Sequence, residues 1–226
     1  MRFTAGARAR VGILISGRGS NLGALIAATL RDDFPAQIVL VLSNTAKAGG
    51  LRLAAQAGIA ARVIDHKAYE SRGGFEDALS AELEAADVDI VCNAGFMRLL
   101  TSRFTERWRD RQLNIHPSLL PAYKGLNTHE RAISDGVSIT GCTVHIVREA
   151  MDEGPILAQA AVPTRPQDTA ETLAARVLAA EHQLYPHALA LFASGAARVV
   201  GERVEIAEGL QQTPEAVLYA PPLMPG

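Results

Sequence analysis

The chain has 226 residues, of which 48% are hydrophobic and 20% charged, ordinary globular values that exclude disorder over most of its length. That length is one large domain, or two tightly joined halves, with room for a full core. The formal charge of −2, without any basic run, points away from nucleic acid and anionic membranes and toward a small substrate.

Residues 1–10 are basic and polar but lack the apolar run of a signal peptide, and no stretch approaches 18 apolar residues, so a cytoplasmic protein is expected. Residues 10–15 read as a buried strand, followed by Ser16-Gly17-Arg18-Gly19-Ser20-Asn21 and an apolar-periodic helix over 22–28. Strand, glycine loop and helix in this order free backbone N–H groups at a helix start. With the Ser20 hydroxyl and the Asn21 amide they suit a phosphate, unless the loop is only a tight turn. Leu22 holds the last position of G-x-G-x-x-G and no G-x-x-x-x-G-K-[ST] occurs, which disfavours dinucleotide and ATP phosphates and fits a phosphomonoester better.

Strands are expected at 38–43, 62–65 and 88–94, with helices at 51–57 and 75–86 between them. This alternation implies right-handed βαβ units and a largely parallel sheet, so the first half reads as a mononucleotide-binding α/β unit. After the Cys92 strand, Gly95-Phe96-Met97-Arg98-Leu99-Leu100 either packs into the core or walls a flat apolar pocket. Thr101 reads as the cap of a helix over 102–108. Cys92 and Cys142, both in apolar β-like stretches, read as buried free thiols, with neither a disulfide framework nor a Cys/His metal pattern.

Residues 113–116 read as a short strand in which Leu113 and Ile115 face one way, Asn114 and His116 the other. Pro117 stops it, leaving His116 near the carboxyl end, where open α/β sheets bind ligands. An amide that can donate to a developing oxyanion beside an imidazole that moves protons near pH 7 suits acyl transfer; the alternative is a pair that merely caps a strand end. A helix over 128–135 and a strand over 140–147 follow, the latter placing His145 on the same face as Thr143, as a sheet residue or a catalyst. Asp152 and Glu153 project from a turn before a strand over 156–162. A helix over 168–185 opens on an Asp168-x-x-Glu171 capping pattern, turns Leu173, Val177, Ala180 and Leu184 inward, and is kinked or ended by Pro186. A hairpin over 199–206 closes the domain, and the Pro-rich residues 213–226 read as a loose tail.

Together, Ser16 to Asn21, Gly95 to Leu100, Asn114-Ile115-His116-Pro117-Ser118-Leu119-Leu120-Pro121, Thr140 to His145, Asp152-Glu153-Gly154-Pro155, and Glu181-His182 with Tyr185-Pro186 closely resemble the phosphoribosylglycinamide formyltransferase family, in the family's order over about residues 10–206. The resemblance implies an α/β fold, a three-layer, mostly parallel twisted sheet with helices on both faces and an antiparallel strand in the second half. It implies a single domain, with a mononucleotide-binding half at 9–108, a catalytic and folate-binding half at 109–208, and a tail at 209–226. It further implies transfer of the formyl group of 10-formyltetrahydrofolate to the amine of glycinamide ribonucleotide in purine synthesis, with folate as co-substrate and no metal. By the same resemblance Asn114, His116 and Asp152 match the catalytic trio; Gly19, Ser20 and Asn21 the phosphate loop; Glu181 a ribose-hydroxyl partner; and Arg72, Met97, Arg98, Leu99 and Leu100, with Asn114, the folate-contacting positions. The partners implied are these two small molecules, without nucleic acid or membrane, on a monomer or homodimer. Methionyl-tRNA formyltransferase and formyltetrahydrofolate deformylase share such a trio, but normally carry an extra domain for which this chain has no room. A carboxylate beside His116 is expected to raise the imidazole pKa above its reference of about 6.5.

Overall fold

In the computed structural model, which describes residues 7–210 and residue 220, apolar strands separated by helices pair into one large sheet. Its members are β1 (Ala9–Ile15), β2 (Ala36–Ser43), β3 (Ala61–Val63), β4 (Ile90–Asn93), β5 (Gln112–His116), β6 (Ile139–Ile146) and β7 (Ile156–Pro163), in the order β3-β2-β1-β4-β5-β6-β7. Pairing is parallel from β3 to β5, and β6 runs antiparallel to both of its neighbours. A separate hairpin of β8 (Ala197–Val200) and β9 (Arg203–Ile206) follows. The expected α/β architecture, with its one antiparallel strand in the second half, is the observed one.

Because β1 and β4 are apolar on both sides, each face of the sheet must be covered. On one face Ile13, Ile15, Cys92, Leu113 and Val144 meet Leu22 and Leu25 of α1 (Ser20–Thr29), Ala54 of α2 (Gly50–Gln56), and Leu173, Val177 and Phe192 of α6 (Ala170–Ala193). On the other, Leu14, Leu42 and Val91 meet Phe75, Leu79 and Leu83 of α3 (Arg72–Ala85), with Phe104 of α4 (Ser102–Arg107) and Trp108 just beyond it. Farther along that second face, β5 and β6 carry Asn114, His116, Thr143 and His145 instead of apolar residues. The chain winds from β1 toward β3, then returns to add β4 and β5 on the other side of β1. The carboxyl ends of β1 and β4 therefore bound the crevice that such a reversal opens.

Two local expectations need correction. Helix α6 runs through Pro186 to Ala193, because Tyr185, Ala188, Leu189 and Phe192 bury its second half and outweigh the one lost backbone donor. Its cap is Thr169, paired with Thr172 in a reciprocal capping box, while Asp168 instead binds Arg176. Both cysteines are buried and free. Of the tail expected over 209–226, residues 211–219 and 221–226 lie outside the described residues.

The fully buried Tyr185 hydroxyl donates toward the carbonyls of Asn93 (3.0 Å) and Leu113 (3.2 Å), tying α6 to β4 and β5. Tyr185→Phe strands those carbonyls and is expected to cost about 1–3 kcal/mol in urea unfolding. An unchanged midpoint would mean that the bridge contributes nothing.

Candidate active site

Register alone brings four polar groups onto one face. Across β5 and β6, Asn114 pairs with His145 and His116 with Thr143, and paired residues on adjacent strands point the same way. The Asn114 amide donates to Nε2 of His145 at 3.1 Å, and His145 Nδ1 donates to the Ile146 carbonyl at 3.1 Å. A carbonyl can only accept, so the His145 proton sits on Nδ1 and Nε2 is free to accept from Asn114. The amide is held in one orientation.

Asp152 lies in the connection between β6 and β7, which folds back over this face. Its backbone is left-handed (φ 57°), a conformation that aspartate tolerates better than most residues. The fold-back depends on Gly154, since a Cβ there would come within 1.7 Å of the Ile146 carbonyl oxygen. The Asp152 carboxylate thereby stands 3.3 Å (Oδ2) from His116 Nδ1 and 3.6 Å (Oδ1) from His145 Nε2, and Oδ2 also accepts the Gly125 N–H at 2.9 Å. Asp152, far along the chain from Asn114 and His116, joins them in one cluster around His145. On the other side of its ring, His116 Nε2 donates to the Tyr123 carbonyl at 2.9 Å. Thr143 steadies the chain just after His116, donating to the Ser118 carbonyl at 2.7 Å and accepting the Leu120 N–H at 3.0 Å.

The expected upward shift of the His116 pKa is not what this environment produces. Burial disfavours the imidazolium and sets its pKa below 6.5; the Tyr123 carbonyl and Asp152 pull upward without overcoming it, and His145 and Arg131 add to the lowering. Sequence proximity to a carboxylate says nothing of the desolvation that accompanies it. For Asp152 burial is again the largest influence and pushes upward, yet His145, the Gly125 N–H and His116 together hold its pKa below 3.8. The neutral imidazole and ionised carboxylate are thus the forms favoured at neutral pH, and the single ring proton of His116 then serves either the Tyr123 carbonyl or Asp152.

The glycine loop gathers at the carboxyl end of β1. Gly19 is left-handed (φ 83°) and pressed so close to Gly50 that a Cβ would lie 2.6 Å from the Gly50 Cα. It leads directly into α1, whose first residues are Ser20, exposed, and Asn21, buried. Asn21 Nδ2 donates to Glu181 Oε2 at 2.7 Å, so the loop and the expected ribose partner are in contact across the face covered by α1 and α6. Asn21 Oδ1 is buried with no protein partner among the described residues. Burial raises the Glu181 pKa above 4.5 despite the Asn21 amide.

At the end of β4, Met97 and Leu99 are exposed apolar side chains, 72% and 62% accessible. Met97 N–H donates to Ser16 Oγ (2.8 Å) and Thr101 N–H to Glu76 Oε1 (2.9 Å). Between them, the N–H groups of Arg98, Leu99 and Leu100 have no acceptor among the described residues. Arg72 is exposed at the first position of α3, one helical turn before Glu76. Thr101 precedes α4 as expected, but its hydroxyl is directed to Glu76 rather than to its own helix. Glu76 and the Tyr123 carbonyl are the neighbours that sequence reasoning left out, and His145 is the one whose role it left open. Strand alternation put His145 on the right face, but only pairing register puts it against Asn114.

The model of the formyl transferase family matches residues 9–189. A trifunctional purine biosynthetic protein adenosine-3 from Bos taurus is 53% identical over 192 residues, 85% of this chain; the chain spans about a fifth of that protein's length (19%). A phosphoribosylglycinamide formyltransferase from Haemophilus influenzae is 43% identical over 190 residues, covering 84% of this chain and 90% of its own. The crystal structure of glycinamide ribonucleotide transformylase 1 from Symbiobacterium toebii superposes with a TM-score of 0.87 at 45% identity, covering 92% of this chain and 98% of its own.

If the Asp152 turn matters as built, Gly154→Ala should displace it and lower kcat by about a hundredfold, the scale of an ångström-sized misplacement, while far-ultraviolet circular dichroism stays native. Native turnover in a folded variant would show that the turn tolerates the shift.

Proposed function

The chain belongs to the formyl transferase family, and from that premise we propose how its residues carry the reaction. It is a phosphoribosylglycinamide formyltransferase, transferring the formyl group of 10-formyltetrahydrofolate to the amine of glycinamide ribonucleotide in purine biosynthesis. The observation that carries the site assignment is the 3.3 Å approach of His116 Nδ1 and Asp152 Oδ2 beside Asn114.

The substrate amine attacks the formyl carbon, forming a C–N bond and placing negative charge on the formyl oxygen. Asn114, oriented by His145, keeps one of its two N–H bonds for that oxyanion. Removal of one such donor typically costs about 10²–10³ in rate. His116 relays the proton lost by the attacking nitrogen to the departing folate nitrogen as the second C–N bond breaks. Asp152 at Nδ1 favours the tautomer that leaves Nε2 as acceptor, provided that the substrate displaces the Tyr123 carbonyl. No enzyme nucleophile is required, in keeping with Cys92, whose burial pushes its thiol up to about 12.

The ribonucleotide phosphate is assigned to Gly19, Ser20 and Asn21 at the start of α1. Glu181 and Asn21 Oδ1, which has no protein partner among the described residues, are assigned to the ribose hydroxyls, whose O–H groups they can accept. The folate is assigned to the strip of Met97, Arg98, Leu99 and Leu100 and to Arg72. Apolar side chains and free backbone donors there match a flat ring with a polar edge. No helix among the described residues is long and apolar enough to cross a membrane, and no group of three or more possible metal ligands lies together among them. We place the enzyme in the cytoplasm, acting on small molecules as a monomer or homodimer.

Loss of 10-formyltetrahydrofolate absorbance, followed with and without glycinamide ribonucleotide, tests the assignment: turnover should require both, and turnover without the ribonucleotide would contradict it. His116→Ala should bind ribonucleotide normally yet lose most turnover. In the unaltered enzyme the acidic limb of kcat/KM should report a pKa below 6.5, because burial lowers the His116 value. A limb above 6.5 would reverse that sign.

A further inference from the structure

A carboxyl group on the apolar face of a helix is costly unless it is hydrogen-bonded. Glu76 occupies such a place, 3% exposed on α3 beside Phe75 and Leu79. Both its oxygens are used by one residue: Oε1 accepts the Thr101 N–H at 2.9 Å and Oε2 the Thr101 hydroxyl. Packing of α3 alone would favour an apolar side chain here, so the carboxyl is explained by what it grips.

Thr101 ends the strip assigned above to the folate. The strip is pinned at Met97 by Ser16 Oγ and at Thr101 by Glu76, while the N–H groups of residues 98–100 between these points have no acceptor among the described residues. Backbone donors free to meet a ligand are useful only if their positions are fixed beforehand, since every residue ordered on binding weakens it. The same grip fixes α3, and with it Arg72 one turn away, relative to the strip. We propose that Glu76 is a positioning residue for the folate co-substrate, holding the strip of residues 97–100 and Arg72 in binding register through its two hydrogen bonds to Thr101. This rests on the reading of that strip as the folate wall.

Steady-state kinetics with each substrate varied in turn test the proposal. Glu76→Ala should raise the KM for 10-formyltetrahydrofolate by about tenfold or more, the loss expected when one or two residues must be ordered on binding. The KM for glycinamide ribonucleotide and kcat should change little. Glu76→Gln, which keeps an acceptor for the N–H and a donor for the hydroxyl, should restore the folate KM nearly to normal. Should Glu76→Ala fail to fold, Thr101→Val, which removes only the hydroxyl, should raise the folate KM in the same selective way. A uniform rise in both KM values, or an unchanged folate KM in a folded variant, overturns the proposal. Leu99→Ala separates the two levels: if it raises the folate KM while the Glu76 and Thr101 variants do not, only the positioning role falls; if it too has no effect, the wall assignment falls with it.

Discussion

The site depends on one buried carboxylate. Asp152 lies within 3.6 Å of both the His116 and His145 rings and accepts the Gly125 N–H, so β5, the loop after it and β6 converge on one side chain. Burial works against its charge, and the groups around it outweigh burial. Removing the charge would loosen the His116 ring and the loop that carries Gly125. The left-handed turn and the bare Cα of Gly154 exist in service of that placement.

The sheet supplies the rest by dividing its labour. The parallel half provides rigid strand ends from which the glycine loop and the strip after β4 emerge side by side, joined by the Met97 to Ser16 bond. The antiparallel half brings β6 alongside β5 in the register that pairs His145 with Asn114. In the proposed assignment one substrate is held from the side of α1 and α6, the other from the side of α3. In the proposed reaction transfer takes place where the two halves meet, and such orientation would supply a large share of the acceleration open to an enzyme without a covalent nucleophile.

Much of this was legible in the residues. Apolar runs of strand length, glycine-bounded helices and the N-x-H alternation are local patterns, and local physics fixes them. The ordered motifs carried the family, and the resemblance pointed to Asn114, His116 and Asp152, which the fold brings together. What escaped were consequences of tertiary structure. Pro186 looks like a helix end until Ala188, Leu189 and Phe192 bury the turns beyond it. The direction of the His116 shift turns on how deeply the ring is buried, which charge pairing in the sequence does not reveal. Glu76 reads as one more helix glutamate, because its partner lies 25 positions away in another element.

A double-mutant cycle on kcat/KM with His116→Asn, Asp152→Asn and both together tests the central claim most directly. Two groups acting as one unit predict strong non-additivity, with the double variant about as impaired as the worse single one. Losses that simply multiply would show that the two side chains act independently, and would contradict the account.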